Sequence, residues 1–204
     1  MSCATQDFTI VKGKTFSRVL RWESSPLVYK AITGITQAAP VVITAVGHGL
    51  PDGWRVAVTS VQGMREINAK VPGKGEVPLS SGFHKATVLS SSTISLNDVN
   101  SLEFSAYTSG GTLVYYTPVS LAGATARLQI RATEEATAVL LNLVSPTDIV
   151  LDDTAKTITI TISATVTAAF TFLTGVYELE ITISGVVTQL LRGSVTVVEE
   201  VVHD

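Results

Sequence analysis

The chain has 204 residues with a formal net charge of −3; 46% of its residues are hydrophobic, 15% are charged and 6% are aromatic. That length allows one large domain or two small ones with a buried core. The slightly acidic charge provides no basic surface for nucleic acid, and the apolar runs are far shorter than the ~18 residues that cross a bilayer. Cys3 is the only cysteine, which excludes an intrachain disulfide and a cysteine-based zinc site.

The abundance of threonine and valine predicts strands, because β-branched side chains favour an extended backbone. Near the N-terminus, strands are predicted at residues 8–11 and 17–22, on either side of the turn residues 12–14. The start of the chain lacks both the basic and the apolar region of a secretory signal. We therefore expect a β-rich protein that is made in the cytoplasm.

Residues 31–117 differ from their flanks because they hold most of the glycines and prolines. Strand-like runs recur between the turns, at residues 41–46, 55–60, 86–89, 93–96 and 112–116. We interpret residues 31–117 as a small, barrel-like all-β module inserted into a loop of an outer domain, which residues 1–30 and 118–204 form together. Such an insertion costs little closure entropy. The alternative of two domains in series would leave residues 1–30 too short to fold.

The clearest strand is TITITI at residues 157–162, which puts three isoleucines on one face and three threonines on the other. Residues 148–151 are predicted to form a hairpin with it. Further strands are predicted at residues 126–131, 177–183, 186–191 and 194–198, with a bulge at Gly193. Helical patterns are weak: residues 132–141 are the best candidate, and residues 165–172 could form a single turn.

These patterns predict an all-β fold with sandwich or barrel architecture. Alternation of apolar and polar residues indicates that one face of each strand is buried and the other solvated. The predicted core residues of the outer domain are Leu128, Ile130, Ile158, Ile160, Ile162, Leu179 and Ile181.

Longer motifs resemble known proteins. The outer part contains, in order, FTIVKGKTFSRVLRWE, LAGATARLQIR, DIVLDDTAKTITITIS and GVYELEITISGVVTQLLRGSVTVVEEV. This order of turns and strands resembles a family of small bacteriophage tail and baseplate proteins, and the resemblance implies an immunoglobulin-like β-sandwich. The inserted part carries ITGITQAAPVVITAVGHGLPDGWRVAVTSVQGMREIN and FSAYTSGGTLVYY. It is similar to a small β-module common in phage tail-associated proteins.

The resemblance implies a structural virion component in the tail, baseplate or neck, which holds neighbouring subunits in register and could anchor a fibre. Its partners would be other phage structural proteins of the tail tube, baseplate, neck or fibre, with several copies of the chain in the particle. No nucleic acid or membrane partner is implied. We expect the protein to be made and assembled in the host cytoplasm and to reside in the virion.

Two alternatives use the same kind of fold. One is a capsid decoration or head-fibre protein. The other is a carbohydrate-binding β-sandwich module, which would display aromatic rings to sugars. The available rings are Trp22, Trp54, Tyr107, Tyr115 and Tyr116.

The sequence predicts no enzyme and no catalytic, cofactor-binding or metal site. His48 lies in a Gly-His-Gly-Leu turn, where we expect the imidazole to bond a backbone carbonyl. A metal site would require His48 and His84 to converge with a carboxylate such as Asp52 or Glu66. No Gly-x-Ser-x-Gly nucleophile motif occurs, and Cys3 has no helix or basic neighbour that would form a thiolate.

Two sets of residues are candidates for an interface. Arg127 and Arg131 alternate outward on one strand, and Glu178 and Glu180 on another; if the strands are neighbours, they form one polar face. The C-terminal strand also places apolar residues outward, where a partner could bury them: Val198, Val201 and Val202.

Overall fold

The fold is all-β, as the sequence predicts. A computed structural model of the chain describes residues 3–73 and 75–200. Its contacts divide the chain into two units, of which one combines Met1–Trp22 with Ser120–Asp204 and the other is Glu23–Val119. We call the first the outer unit and the second the inserted unit.

The inserted unit begins at Glu23 rather than at residue 31. Residues Glu23–Ala31 form a strand that pairs antiparallel with Ser109–Pro118, and Glu23 lies opposite Pro118. The sequence patterns miss this strand because ESSPLVYKA contains Pro26 and lacks a strict alternation. As a result of this pairing, the chain enters and leaves the inserted unit on neighbouring strands.

The described residues contain sixteen strands, one short α-helix and two 3-10 turns. In chain order the strands are β1 (Ala4–Thr5), β2 (Phe8–Val11), β3 (Phe16–Leu20), β4 (Glu23–Ala31), β5 (Gly34–Ile35), β6 (Val41–Thr44), β7 (Arg55–Gln62), β8 (His84–Val88), β9 (Thr93–Leu96), β10 (Ser109–Pro118), β11 (Thr125–Arg131), β12 (Val139–Val144), β13 (Ile149–Asp152), β14 (Thr157–Ile162), β15 (Thr174–Ile183) and β16 (Val186–Val198). The helix is α1 (Ala164–Ala168), and the 3-10 turns are Arg65–Ile67 and Ser80–Gly82.

The outer unit is a β-sandwich of two sheets. One has the order β1-β16-β15-β11-β12, with β2 also pairing with β16, and the other has the order β13-β14-β3. A single apolar core contains residues of both sheets, such as Ile160 of β14 and Leu179 of β15. All seven residues predicted for this core are buried, with at most 3% of their surface exposed.

The two N-terminal strands lie at one edge of the six-stranded sheet and run parallel to β16. Their register is continuous: Ala4 lies opposite Leu191 and Val11 opposite Val198. Phe8 and Ile10 point into the core, where they are 2% and 0% exposed. This edge is therefore part of the sandwich and contributes to its core.

Two local predictions are wrong. Residues 132–141 do not form a helix: Val139–Val144 is a strand paired with β11, because this pairing turns Leu141 and Leu143 toward the core. The bulge in β16 lies at Leu190, where the register shifts, and Gly193 pairs in register with Tyr177.

Helical structure is confined to short segments among the described residues. The turn predicted at residues 165–172 corresponds to α1, which Ser163 caps by accepting a hydrogen bond from the Val166 N–H. No helix in the described part of the chain is long and apolar enough to cross a membrane.

The inserted unit is one antiparallel sheet with the order β4-β10-β7-β8-β9-β6-β5. Its two end strands, β4 and β5, are consecutive in the chain. The residues between them bond to both neighbouring strands, since Ile32 N–H donates to the Gly111 carbonyl and Thr33 N–H to the Thr44 carbonyl. The sheet thus curls back on itself around its own core.

The largest side chain in the core of the inserted unit is Trp54, which is completely buried. Its indole Nε1–H donates to the Tyr116 carbonyl at 2.9 Å, so the polar atom of the ring is satisfied. Met64, in the motif Gly-Met-Arg-Glu, is also completely buried. Met64 of this motif therefore serves packing in this unit.

Replacing Ile160 by Ala should lower the free energy of unfolding by ~2–5 kcal/mol, since Ile160 is completely buried between the two sheets. The matched control is Thr161→Ala on the same strand, whose exposed side chain should contribute less than ~0.5 kcal/mol. Urea unfolding of both variants measures the difference. Equal losses at the two positions would contradict the observed orientation of β14.

Replacing residues 23–119 by a short Gly/Ser linker should leave a folded outer unit. The linker has only a short gap to bridge, since Glu23 and Pro118 lie opposite each other in antiparallel strands, which places their Cα atoms ~4.5–5.5 Å apart. Dispersed amide signals in an NMR spectrum and a cooperative thermal transition are expected. If the shortened chain shows neither dispersed signals nor a cooperative transition, the outer unit needs the inserted unit in order to fold.

Candidate functional site

The four charged residues predicted for a polar face, Arg127, Arg131, Glu178 and Glu180, lie on neighbouring strands of the six-stranded sheet. β11 and β15 pair directly, with Arg127 opposite Glu180. Side chains alternate along a strand, so burial of Leu128 in the core places its charged neighbours on the opposite side. We call this outward side of the sheet the charged face.

A direct ion pair joins the two strands. Nη2 of Arg127 donates to Oε2 of Glu180 at 2.7 Å. The Arg127 side chain is 56% exposed and that of Glu180 is 29% exposed, and exposed pairs of this kind contribute ~0.2–1 kcal/mol. The pair therefore orients two charges and adds little to stability.

A third strand contributes to the same face. Across β15 from β11, Arg192 of β16 lies opposite Glu178, and Gln189 lies opposite Glu180. Each acidic residue of β15 thus lies opposite one arginine: Glu180 opposite Arg127 of β11 and Glu178 opposite Arg192 of β16. The sequence patterns do not predict this position of Arg192, because the bulge at Leu190 brings residues three positions apart to one side of the strand.

Arg131 is held in place more firmly than Arg127. Its Nη1 donates to the Ala136 carbonyl at 2.7 Å, and its Nη2 donates to Oε1 of Gln129 at 2.9 Å. The turn after β11 supplies the Ala136 carbonyl, so this turn fixes a guanidinium group at the edge of the face. A cation fixed before binding loses less conformational entropy when a partner docks.

The charged face is concave. It forms a groove of about 560 Å³ whose floor includes Val176 and Glu178 of β15. The N-terminal segment, with Asp7, contributes to one side of the lining, and the turn after β11, with Glu134, contributes to another. The groove has room for a side-chain cluster or a strand segment of a partner.

The N-terminal side of the groove depends on Gly193. A Cβ atom at this position would lie 2.7 Å from the carbonyl carbon of Gln6 and still closer to its oxygen. The Gln6 carbonyl accepts a hydrogen bond from the Tyr177 hydroxyl at 2.7 Å. Asp7 Oδ1 accepts one from the Ser194 N–H at 2.9 Å. At this point the side chains of Tyr177 and Asp7 thus form hydrogen bonds in place of regular backbone bonds between the strands.

The same contacts change the acidity of their groups. The Ser194 N–H holds the pKa of Asp7 below its usual value. Burial, with a smaller contribution from the Asp7 charge, raises the pKa of Tyr177 well above its usual value. At neutral pH, Asp7 is therefore the anionic acceptor and Tyr177 the neutral donor.

Val198, the one apolar interface candidate that the structure describes, lies elsewhere on the sheet. Val198 ends β16 opposite Val11, and both are 37% exposed. Val201 and Val202 lie outside the described residues. Val198 is thus at the end of the N-terminal edge, away from the rows of charges.

His48 is a buried part of a turn. Its Nε2 donates to the Ser90 carbonyl at 2.9 Å, and its Nδ1 accepts from the Leu50 N–H at 3.1 Å. The predicted bond between the imidazole and a backbone carbonyl is confirmed. The Tyr115 hydroxyl also donates to the His48 carbonyl. Both ring nitrogens are therefore engaged by the backbone.

The other histidine within the described residues, His84, forms a separate pair. Its Nδ1 lies 2.9 Å from Oδ2 of Asp98. Glu66, the carboxylate considered as a ligand beside it, accepts from the N–H and the hydroxyl of Ser105. The backbone bond lowers the pKa of Glu66. Its nearest hydrogen-bond partners are thus groups of Ser105.

Cys3, Asp152 and Asp153 occupy structural positions. Burial raises the pKa of the Cys3 thiol, which keeps it protonated at neutral pH. Asp152 accepts from two N–H groups in its own turn. Asp153 accepts from Lys156, which with the Leu121 N–H lowers its pKa to about 2. These carboxylates stabilise turns of the outer unit.

Among the described residues, no three or more histidine, cysteine or acidic side chains lie in position to hold a metal ion together. Comparisons with known proteins add no assignment. No protein-family model matches the sequence, and no curated protein matches it significantly. The charged face is therefore interpreted from its own geometry.

Gly193→Ala should cost ~1–3 kcal/mol, because the added methyl group collides with the Gln6 carbonyl and must displace the N-terminal strand. Hydrogen exchange should become faster at the Gln6 and Lys12 amides, which donate to Arg192 and Val198. In the control Gly34→Ala, the added Cβ atom meets Thr44 at an ordinary 3.6 Å. Unchanged exchange in Gly193→Ala would contradict the close approach.

Proposed function

We propose that this protein is a structural component of a tailed bacteriophage particle, in the tail, baseplate or neck, and that it holds neighbouring subunits in register. The observation that carries the proposal is the charged face, where the acidic strand β15 lies between basic residues of β11 and β16. The resemblance of the strand and turn motifs to phage tail and baseplate proteins supplies the biological setting.

Alternating positive and negative side chains on this face can set the orientation of a partner subunit. Arg127 already pairs with Glu180, so a partner gains little net charge attraction and must instead match the pattern of positive and negative groups. Electrostatic complementarity of this kind selects orientation more than it raises affinity. Arg131 is held by two hydrogen bonds and presents a positive charge at a fixed position on the face.

The proposal extends to the partners. They are copies of this chain and other structural proteins of the tail tube, baseplate, neck or a fibre. The immunoglobulin-like topology of the outer sandwich and the virion location belong to the same proposal. The charged face serves as the docking surface, and Val198 lies at the end of the N-terminal edge as a second contact.

The positions of the five rings considered for carbohydrate binding favour assembly instead. Trp54 and Tyr115 are buried in the inserted unit, and Tyr116 stacks on Phe83 with 5.8 Å between ring centroids. The Tyr107 hydroxyl is bonded to two carbonyls, while Trp22 packs against the outer core. The five rings thus serve packing in two separate units, whereas a sugar platform requires exposed faces.

The location can be tested on virions. Particles from the host that carries this sequence are purified on a density gradient and labelled with gold-conjugated antibodies against the protein. We expect the label on the tail, baseplate or neck. Label on the head would favour the capsid decoration alternative, and absence of the protein from intact particles would refute a virion role.

A charge swap separates docking from folding. The double variant Arg127→Glu with Glu180→Arg keeps the internal ion pair but reverses the charges that a partner meets. We expect an unfolding free energy within ~1 kcal/mol of the original and reduced incorporation into particles, measured by complementation and immunoblotting. The control swaps the Arg55–Glu23 pair of the inserted unit, which joins the same residue types at 2.6 Å. Equal incorporation of both swapped proteins would remove the charged face from the interface.

A further inference from the structure

His48 connects two loops of the inserted unit. It lies in the loop between β6 and β7, and its Nε2 donates at 2.9 Å to the carbonyl of Ser90, in the turn between β8 and β9. A backbone bond from the Gly47 N–H to the Ser91 carbonyl joins the same two segments. We call the contact of the His48 ring with Ser90 and with its own loop the His48 latch.

The ring makes both of its hydrogen bonds only as a neutral imidazole. Nδ1 accepts from the Leu50 N–H at 3.1 Å and therefore carries no proton, so the single ring proton is on Nε2, facing the Ser90 carbonyl. A second proton would occupy the lone pair of Nδ1 and set one N–H against another. Protonation of His48 is therefore incompatible with the bond to Leu50.

The surroundings of the ring provide no anion that would balance its charge. His48 is 2% exposed, and the two partners of its ring are backbone groups. The Tyr115 hydroxyl donates to the His48 carbonyl, and burial raises the pKa of Tyr115, so this neighbour stays neutral. The turn at residues 89–92 contains no titratable side chain. The nearest acidic residue in the chain, Asp52, accepts from the Val88 N–H through Oδ1. An unbalanced buried charge is costly, so the closed latch favours the neutral ring.

The loop that carries His48 is the part that can move. The turn on the other side is closed by its own bonds, since the Ser90 hydroxyl accepts from the Ser92 N–H. His48, in contrast, stands between Gly47 and Gly49, whose φ angles are 63° and 65°. A Cβ atom at either glycine would meet nothing within 4 Å. Neighbouring atoms therefore do not confine this backbone, and glycine allows it a wide range of conformations.

Movement of this loop would expose apolar surface. Leu50 is 7% exposed and belongs to the core of the inserted unit. Val46 in the same loop and Leu89 in the facing turn are already 68% and 54% exposed. Release of the loop would thus add a core leucine to two exposed apolar side chains on the two connected segments.

We propose that His48 is an acid-sensitive latch: protonation of its ring releases the loop at residues 45–50 from the turn at residues 89–92 and exposes Leu50. An exposed imidazole takes up a proton below pH ~6.5. The open loop can bind this proton, whereas the closed loop loses a bond when it does, so each further unit of pH favours the open loop by up to about tenfold. The latch is therefore closed at neutral pH and opens as the pH falls. It acts in the free subunit and is independent of a role in virions.

Amide hydrogen exchange of the full-length protein, followed by NMR at about pH 7 and about pH 5, on either side of the usual imidazole titration, tests this proposal. After correction for the pH dependence of the chemical exchange rate, protection of the Leu50 amide should fall at least about tenfold at the lower pH. The amides of the paired strands β7 and β10 report on unfolding of the whole unit and should keep their protection. A parallel loss in these strands would show that acid unfolds the unit, which would overturn a local latch.

Two substitutions assign the acid response to His48. Asparagine side chains accept hydrogen bonds from the N–H two residues further on, so His48→Asn keeps an acceptor for Leu50 but takes up no proton. Its Leu50 protection should differ by less than about twofold between the two pH values. The matched control is His84→Asn, which removes the other described histidine of the unit and its pair with Asp98. In this variant the acid response of Leu50 should be retained.

Fluorescence of the dye anilinonaphthalene sulfonate reports on the exposed apolar surface. It should rise at the lower pH with the original protein and with His84→Asn, and stay constant with His48→Asn. Equal acid responses of His48→Asn and the original protein would assign the effect to another group and overturn the proposal. Unchanged Leu50 protection in the original protein would do the same.

The ring signals of His48 in the original protein provide a second measurement, which remains decisive if His48→Asn does not fold. The carbon-13 shifts of the ring should report protonation over the same pH range in which Leu50 loses its protection. Protonation of the ring without that loss would show that the closed loop accepts the charge, and there would be no latch.

Discussion

The outer sandwich depends on one constraint: after passing through the inserted unit, the chain must return to the outer unit close to the place where it left it. Its first three strands and its last six are separated by the whole inserted unit, yet they share one core. The pairing of β4 with β10 meets this constraint, because it places Glu23 opposite Pro118. Both units can then bury their own apolar residues without competing for the same strands.

The fold is predictable from sequence wherever a strand keeps a strict period of two. Ile158, Ile160 and Ile162 alternate with threonines, and all three are buried. The same rule fails where register changes. Leu190 is an extra residue in β16. The alternation of side-chain directions changes there, so residues after Leu190 point to the face opposite to the one that strict alternation predicts.

The helix predicted at residues 132–141 fails for a different reason. Glu134 and Glu135 suit the first turn of a helix, but β11 ends at Arg131 with an open edge beside it. A strand at Val139–Val144 pairs with the free backbone groups of that edge and buries Leu143. Long-range pairing of this kind overrides local helix preference, and no short window of sequence contains it.

The candidate site is predictable to the same extent. Arg127 and Glu180 lie within regular stretches of two strands, so alternation predicts that each points outward. That they share one face follows from the pairing of β11 with β15, which alternation does not predict. Arg192 joins them only through the bulge, and Asp7 only because Gly193 leaves room for the N-terminal strand.

The parallel pairing of the N-terminal strand with β16 has a consequence for biosynthesis. Phe8 and Ile10 are synthesised well before Val195 and Val197, with which they pair. Their sequence separation makes this one of the slowest contacts to form, since loop closure must precede it. Until β16 has been synthesised, the two apolar side chains of β2 have no native site. β2 is therefore among the last strands of the outer unit to be placed, and a chaperone or a neighbouring chain has long access to it.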